Sequence, residues 1–262
     1  MNAAELLARL DAIGASLEET GEALALLGVG SVGVELERLD AYSDLDFFVI
    51  AKPGFKARFI DRLDWLESIS PVAFAFQNTP DGSKIMFADG IYGEFAVFEE
   101  EELSGIPYAP GRIVWIDPEC SPDRIDPSGG RTPQPRGTSP EYALNEAVTN
   151  LYVGLCRYAR GERLSSVRFI EQHALEQVVS VLHLYEQEVP YYPDSFRNER
   201  RIERRFPEFS SRLNSMLQGY ENIPQSALAI LNYIEGIYPV NAKMAASIRS
   251  LAAELGAISS GQ

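Results

Sequence analysis

The feature that most constrains this chain is a break. Residues 117–138 read DPECSPDRIDPSGGRTPQPRGT, with five prolines and three glycines and no apolar periodicity. Proline fixes φ and removes a backbone donor, so no helix or central strand can run through such a stretch. Such a stretch is a linker or a long surface loop, and as a linker it would separate two cores, one on each side. With 262 residues the chain is long enough for both.

The two sides carry different patterns. Before the break, a helical stripe of Leu6, Leu7, Leu10, Ile13 and Leu17 precedes short apolar runs at 22–27, 45–50, 72–77, 84–88 and 92–98. A further run at Arg112–Ile116 reads as an edge strand, 55–68 reads as helical, and Asn78-Thr-Pro-Asp-Gly82 between two runs signals a hairpin. After the break, Ser139-Pro140 is an N-cap with proline at the first helical position. Helical spacing then continues through about 164–188, 196–217 and 223–257, interrupted near Pro239. The expected class is α+β: an N-terminal mixed β-sheet domain over 1–120, a linker over 121–138 and a C-terminal helical bundle over 139–262.

Charge follows the same division. Residues 1–138 hold 24 acids and 11 bases, whereas 139–262 hold 14 and 12, so nearly all of the net −15 lies in the first half. An acidic half suits a site that gathers cations, either metal ions or a basic substrate. It argues against broad nucleic-acid binding, which needs cations facing phosphates. Cys120 and Cys156 cannot make a disulfide framework. No basic leader precedes an apolar run at the start, and the longest apolar run is too short for a membrane span. A cytoplasmic protein without membrane partners is the expectation.

The informative segment is 28–50. Gly28, Gly30 and Gly33 satisfy G-x-G-x-x-G, the dinucleotide fingerprint of an NAD(P)-binding oxidoreductase. The intervening residues 34–42 are too short and polar for the helix that motif needs, and the acids precede the second strand. The competing pattern is Gly30-Ser31 followed by Ser43-Asp44-Leu45-Asp46 and the apolar run to Ile50. Residues i and i+2 on a strand share a face, so Asp44 and Asp46 would project together while Leu45 and Phe47 enter the core. Paired carboxylates suit Mg²⁺, which takes carboxylate oxygens together with substrate phosphates. Gly30 allows a phosphate close to the backbone, and Ser31 offers an N–H and a hydroxyl.

The run G-S-x12-D-x-D before an apolar strand resembles the polymerase-β-type nucleotidyltransferase superfamily. Tyr42-Ser-Asp-Leu-Asp-Phe-Phe-Val, then Ile91-Tyr-Gly-Glu94-Phe95, then Tyr158-Ala-Arg160-Gly-Glu162 resembles in order and separation the lincosamide nucleotidyltransferases, antibiotic-modifying relatives of the aminoglycoside enzymes. That resemblance implies transfer of a nucleoside monophosphate, from ATP, onto a small-molecule hydroxyl with Mg²⁺. It makes Asp44, Asp46 and Glu94 the metal-binding and catalytic carboxylates. Gly30, Ser31, Arg160 and Arg168 become the nucleotide contacts. Asp89 competes with Glu94 but adjoins Gly90, as a turn residue would. A cationic antibiotic suits the acidic half, and a non-catalytic nucleotide-binding member of the same fold is the remaining alternative.

The dense basic run Arg197–Arg205 reads as a solvent-facing helix laced by ion pairs. The alternative is packing of that run on the acidic first half, within one chain or between two, the latter giving a homodimer. His173 and His183 sit at helical spacing among apolar residues, which favours packing over ligation.

Overall fold

The computed structural model describes residues 2–129, 139–194 and 196–259, divided into two compact units, Met1–Pro133 and Gln134–Gln262. Among the described residues, no helix is long and apolar enough to cross a membrane.

In the first unit, helix α1 (Ala3–Thr20) begins at a capping box. Asn2 accepts from the Glu5 N–H, and the Glu5 carboxylate accepts from the Asn2 N–H. Strands β1 (Ala23–Gly28) and β2 (Leu45–Ala51) follow, then short helices α2 (Lys56–Asp61) and α3 (Asp64–Glu67). The hairpin β3 (Val72–Gln77) and β4 (Gly82–Phe87) leads into β5 (Tyr92–Glu99), and β6 (Arg112–Ile116) closes the set. The six strands form one sheet in the order β3-β4-β5-β2-β1-β6. It is a mixed sheet, because β2 and β5 run parallel while every other neighbouring pair is antiparallel.

One face of this sheet is covered by α1, α2 and α3. Leu6, Leu10 and Leu17 from α1 and Phe59, Trp65 and Leu66 from the short helices pack on Leu45, Phe47, Val49, Ile85, Phe95 and Val97. The alternation Leu45-Asp46-Phe47 is the reason: the apolar positions bury and leave Asp46 on the opposite face. A smaller cluster (Leu24, Ile50, Phe98, Leu103, Cys120, Ile125) joins residues of the strands to the segments after β5 and β6.

Residues 121–129 are held on this first unit, although the composition reads as linker throughout 121–138. Ile125 is fully buried, the Gly111 N–H donates to the Pro127 carbonyl at 2.8 Å, and the Tyr108 hydroxyl donates to the Asp126 carbonyl at 2.6 Å. Residues 130–138 lie outside the described residues. In a proline-rich segment the signal for packing is the lone large aliphatic residue, Ile125.

The second unit is helical. Helix α4 (Pro140–Ala159) starts at Ser139, whose hydroxyl accepts from the Tyr142 N–H. Helices α5 (Arg163–Val167) and α6 (Leu175–Val181) are joined by a π-helical stretch at Arg168–Ala174. The short α7 (Ile202–Arg205) and α8 (Pro207–Met216) precede α9 (Ile223–Ile237) and α10 (Ala242–Ser259). Their shared core includes Leu144, Leu151, Ile170, Phe209, Ile230 and Ile248. The basic run differs from its expected form, since the helix begins only at Ile202. Asp194 accepts from the Phe196 and Arg197 N–H groups and pairs with Arg200 at 3.0 Å, while Arg205 pairs with Glu188 at 2.7 Å. Those partners lie outside the run itself, where helical periodicity does not look.

Candidate active site

The parallel pairing of β2 with β5 sets Asp46 directly beside Glu94, and Leu45 beside Gly93. Side chains at paired positions share a face, so the two carboxylates are cross-strand neighbours. The β1–β2 turn meets them from the other side. The Val29 N–H donates to the Asp46 carbonyl at 2.8 Å, which ties the turn to β2.

Gly30 has φ +60, and a Cβ built there would lie 3.2 Å from Asp46 Oδ2. A Cβ on Gly33 would lie 2.9 Å from the Gly28 carbonyl oxygen. These glycines let the turn fold back on itself beside a carboxylate. Ser31 is buried in that turn, within the short helical segment Gly30–Val32. The same geometry excludes the dinucleotide reading, because β1 and β2 are antiparallel and no crossover helix joins them. Gly30→Ala should cost about 1–2 kcal/mol in folding free energy, since alanine at positive φ is strained and would also press on Asp46. Urea denaturation of the two proteins measures it.

Asp44 lies half-buried just before β2, one residue ahead of Leu45. Asp89 does not join the group. It accepts from the Ile91 N–H at 3.3 Å within the turn and pairs with Arg9 at 2.5 Å.

Glu94 has two partners that sequence reasoning missed. Lys84 Nζ and the Tyr92 hydroxyl each donate to Glu94 Oε1 at 2.7 Å. Lys84 is opposite Glu94 in the β4–β5 register, and Tyr92 is two residues away on the same face. Burial pushes the Glu94 carboxyl upward, but the two hydrogen bonds and the Lys84 charge outweigh it and hold the group below its ordinary range. The hydrogen bond to Glu94 correspondingly raises Lys84.

Glu94 therefore contributes stability that is present above its ordinary pKa of 4.5 and is lost as pH falls through the depressed value. Lys84 contributes stability that is present below 10.5 and is lost as pH rises through its raised value. Lys84→Met should move the Glu94 carboxyl titration upward, as read by carboxyl ¹³C NMR, and should flatten the acid limb of the stability curve.

A depression of about 250 Å³ opens beside the pair, lined by Asp46, Glu94, Phe48, Ala96, Asn78 and Thr79 among others. Among the described residues, no three His, Cys, Asp or Glu side chains are gathered closely enough to hold a metal ion by themselves. Asp44, Asp46 and Glu94 are thus not a closed cage. The donor set does fit Mg²⁺ of the kind bound by one or two carboxylates with substrate phosphates completing the shell. The space left by the missing Cβ of Gly30 next to Asp46 Oδ2 suits that arrangement.

The two arginines expected at the triphosphate belong to the second unit. Arg160 is largely exposed and its Nε donates to Glu162 at 2.9 Å, while Arg168 is exposed at the start of the π-helical stretch.

No family model and no curated protein sequence matches the chain. Among solved structures, an aminoglycoside 6-adenyltransferase from Bacillus subtilis aligns at 12% identity and a TM-score of 0.32, covering 96% of each chain. The Thermotoga maritima CCA-adding enzyme complexed with tRNA aligns at 11% identity and a TM-score of 0.35, covering 98% of this chain and 74% of the other. The Bradyrhizobium diazoefficiens CD-NTase CdnG in complex with GTP aligns at 13% identity and a TM-score of 0.22, covering 97% and 91%.

Proposed function

We propose that this protein is a Mg²⁺-dependent nucleotidyltransferase that moves a nucleoside monophosphate, from ATP, onto a hydroxyl of a small molecule of the lincosamide or aminoglycoside kind. The observation that carries this reading is the juxtaposition of Asp46 with Glu94 across two parallel strands, beside the turn of Gly30 and Ser31. Asp44 and Asp46 hold the cation, which when bound supplies charge neutralisation for the triphosphate and lowers the pKa of the attacking hydroxyl. Gly30 and Ser31 accommodate the phosphates through an uncrowded backbone. In this reading Glu94 would serve as a further carboxylate for the cation or accept the acceptor's proton, and Lys84 and Tyr92, which both donate to its Oε1, would orient it.

In the reaction, the acceptor oxygen bonds to the α-phosphorus, the bond to the bridging oxygen breaks, and pyrophosphate leaves. Such in-line displacement depends chiefly on positioning and charge stabilisation, which a few rigidly held side chains can supply. The test is purified protein with ATP, with and without Mg²⁺, over a panel of lincosamides and aminoglycosides, followed by pyrophosphate release. Mg²⁺-dependent binding of ATP with turnover supports the reading. Binding without turnover across a broad panel would instead favour a non-catalytic nucleotide-binding protein, and absence of Mg²⁺-dependent binding would remove both.

A further inference from the structure

Strand β3 forms one edge of the sheet and reads Val-Ala-Phe-Ala-Phe-Gln, without a single charge. Edge strands are ordinarily protected by charge, proline or a bulge, and β3 has a register shift between Val72 and Phe74 but no charge. Here Phe74 is 53% exposed and Phe76 55%, and Met86 on the neighbouring β4 is 41% exposed.

The register places these three side chains. Phe76 pairs with Lys84, Lys84 with Glu94, and Glu94 with Asp46. One step along, Phe74 pairs with Met86 and Met86 with Tyr92. Paired positions share a face, and the reach of Lys84 and Tyr92 to Glu94 fixes which face it is. A single sheet surface therefore carries carboxylates on β2 and β5 and a bare apolar column on β3 and β4. At roughly 4.8 Å between strands, Phe76 stands about 10 Å from Glu94.

We propose that Phe74, Phe76 and Met86 form the subsite for an apolar group of the acceptor whose hydroxyl is presented at Glu94. This rests on the nucleotidyl-transfer reading and narrows it. The acceptor is amphiphilic, with a hydroxyl-bearing head and an apolar moiety about 10 Å away, a span set by two strand spacings. An all-polar polyhydroxylated amine would leave the column in water.

A second copy pairing edge to edge would engage the backbone of β3. The apolar patch instead extends inward through Met86 on the second strand to the Tyr92 ring position, one row from Glu94, while Lys84 stands between Phe76 and Glu94. A ligand lying across the strands fits that direction.

The experiment uses the full chain labelled with ¹³C-methyl methionine, the Met86 signal being assigned through Met86→Leu. The probes are methyl, hexyl and octyl β-D-glucopyranoside below their micellar concentrations, with Mg²⁺-ATP binding measured in parallel. The Met86 resonance should shift with the hexyl and octyl compounds and not with the methyl one, with affinity rising roughly twofold or more per methylene. The double substitution Phe74→Ser, Phe76→Ser should lower octyl affinity at least tenfold and leave ATP affinity within twofold. Both rings are half-exposed, so the variant should fold, and its melting curve checks this.

Equal response to all three tails, or an unchanged double variant, overturns the subsite. A wild-type dimer that the double substitution renders monomeric also overturns it, assigning the strip to a second copy. Wild-type protein that binds the tailed probes but no Mg²⁺-ATP overturns the nucleotidyl-transfer reading while sparing the apolar subsite.

Discussion

Asp46→Asn should reduce the rate of pyrophosphate release by on the order of 10³-fold at unchanged fold, because a divalent cation's contribution to transition-state charge stabilisation is several kcal/mol. The amide keeps the size and most of the shape of the carboxylate but removes the charge that a cation requires. The side chain stands on the sheet face opposite the helices, beside Glu94 and 3.2 Å from where a Cβ on Gly30 would be. Asp44→Asn should have a comparable effect on turnover. Asp89→Asn, in the turn that pairs with Arg9, should have little. Steady-state kinetics together with ATP binding at several Mg²⁺ concentrations separates loss of metal from loss of chemistry. If either Asp44→Asn or Asp46→Asn retains near-normal rates, the metal assignment is wrong.

Trp65→Ala should destabilise the first unit by about 3–5 kcal/mol, the cost of removing a large buried aromatic ring. Trp65 is 2% exposed and meets Phe47, Phe59 and Phe95 edge-on, at centroid distances of 6.4, 5.8 and 5.3 Å. Phe47 and Phe95 also stack on each other at 5.6 Å. These two rings directly follow Asp46 and Glu94 in sequence, so the indole supports the carboxylate pair from beneath the sheet. Its Nε1 donates to the Phe59 carbonyl at 3.3 Å, and its own carbonyl accepts from the Ser16 hydroxyl at 2.6 Å. Chemical denaturation gives the loss directly. The first-unit transition should move to lower urea, and a change below about 1 kcal/mol would mean that the ring is not central to this core.

Period-two alternation made β2 and β5 readable and placed Asp46 and Glu94 on the side away from Leu45, Phe47, Phe95 and Val97. The proline-rich break likewise separated a sheet from a helical half. Glu94 could be suspected as a partner of the aspartates only from the order of motifs, because nothing within β2 indicates which strand will lie beside it. Lys84 and Tyr92 were invisible as partners of Glu94 for the same reason. Their approach depends on the register of β4 against β5, and the hairpin turn that sets one side of that register contains no charge pattern pointing at Glu94. Phe74 and Phe76 show the same dependence, since an apolar run does not fix its own place in a sheet and the strand order alone puts it at the edge. Pairing of Asp194 with Arg200 and Arg201 lay beyond helical spacing because that stretch is a turn, with Arg201 at φ +63.

The parallel junction of β2 with β5 also has a bearing on synthesis and on divergence. As the chain leaves the ribosome, β1 and β2 can zip together long before β5 exists, so a nascent chain carries one half of the carboxylate pair without the other. Ring closure over the stretch 52–91 must come first, and such distant contacts are the slow ones to make. Yet closure entropy grows only logarithmically, with each doubling of length adding about 0.6 kcal/mol. Descendants of this gene could therefore lengthen or exchange the hairpin carried within that excursion while inheriting the same two acids in the same embrace.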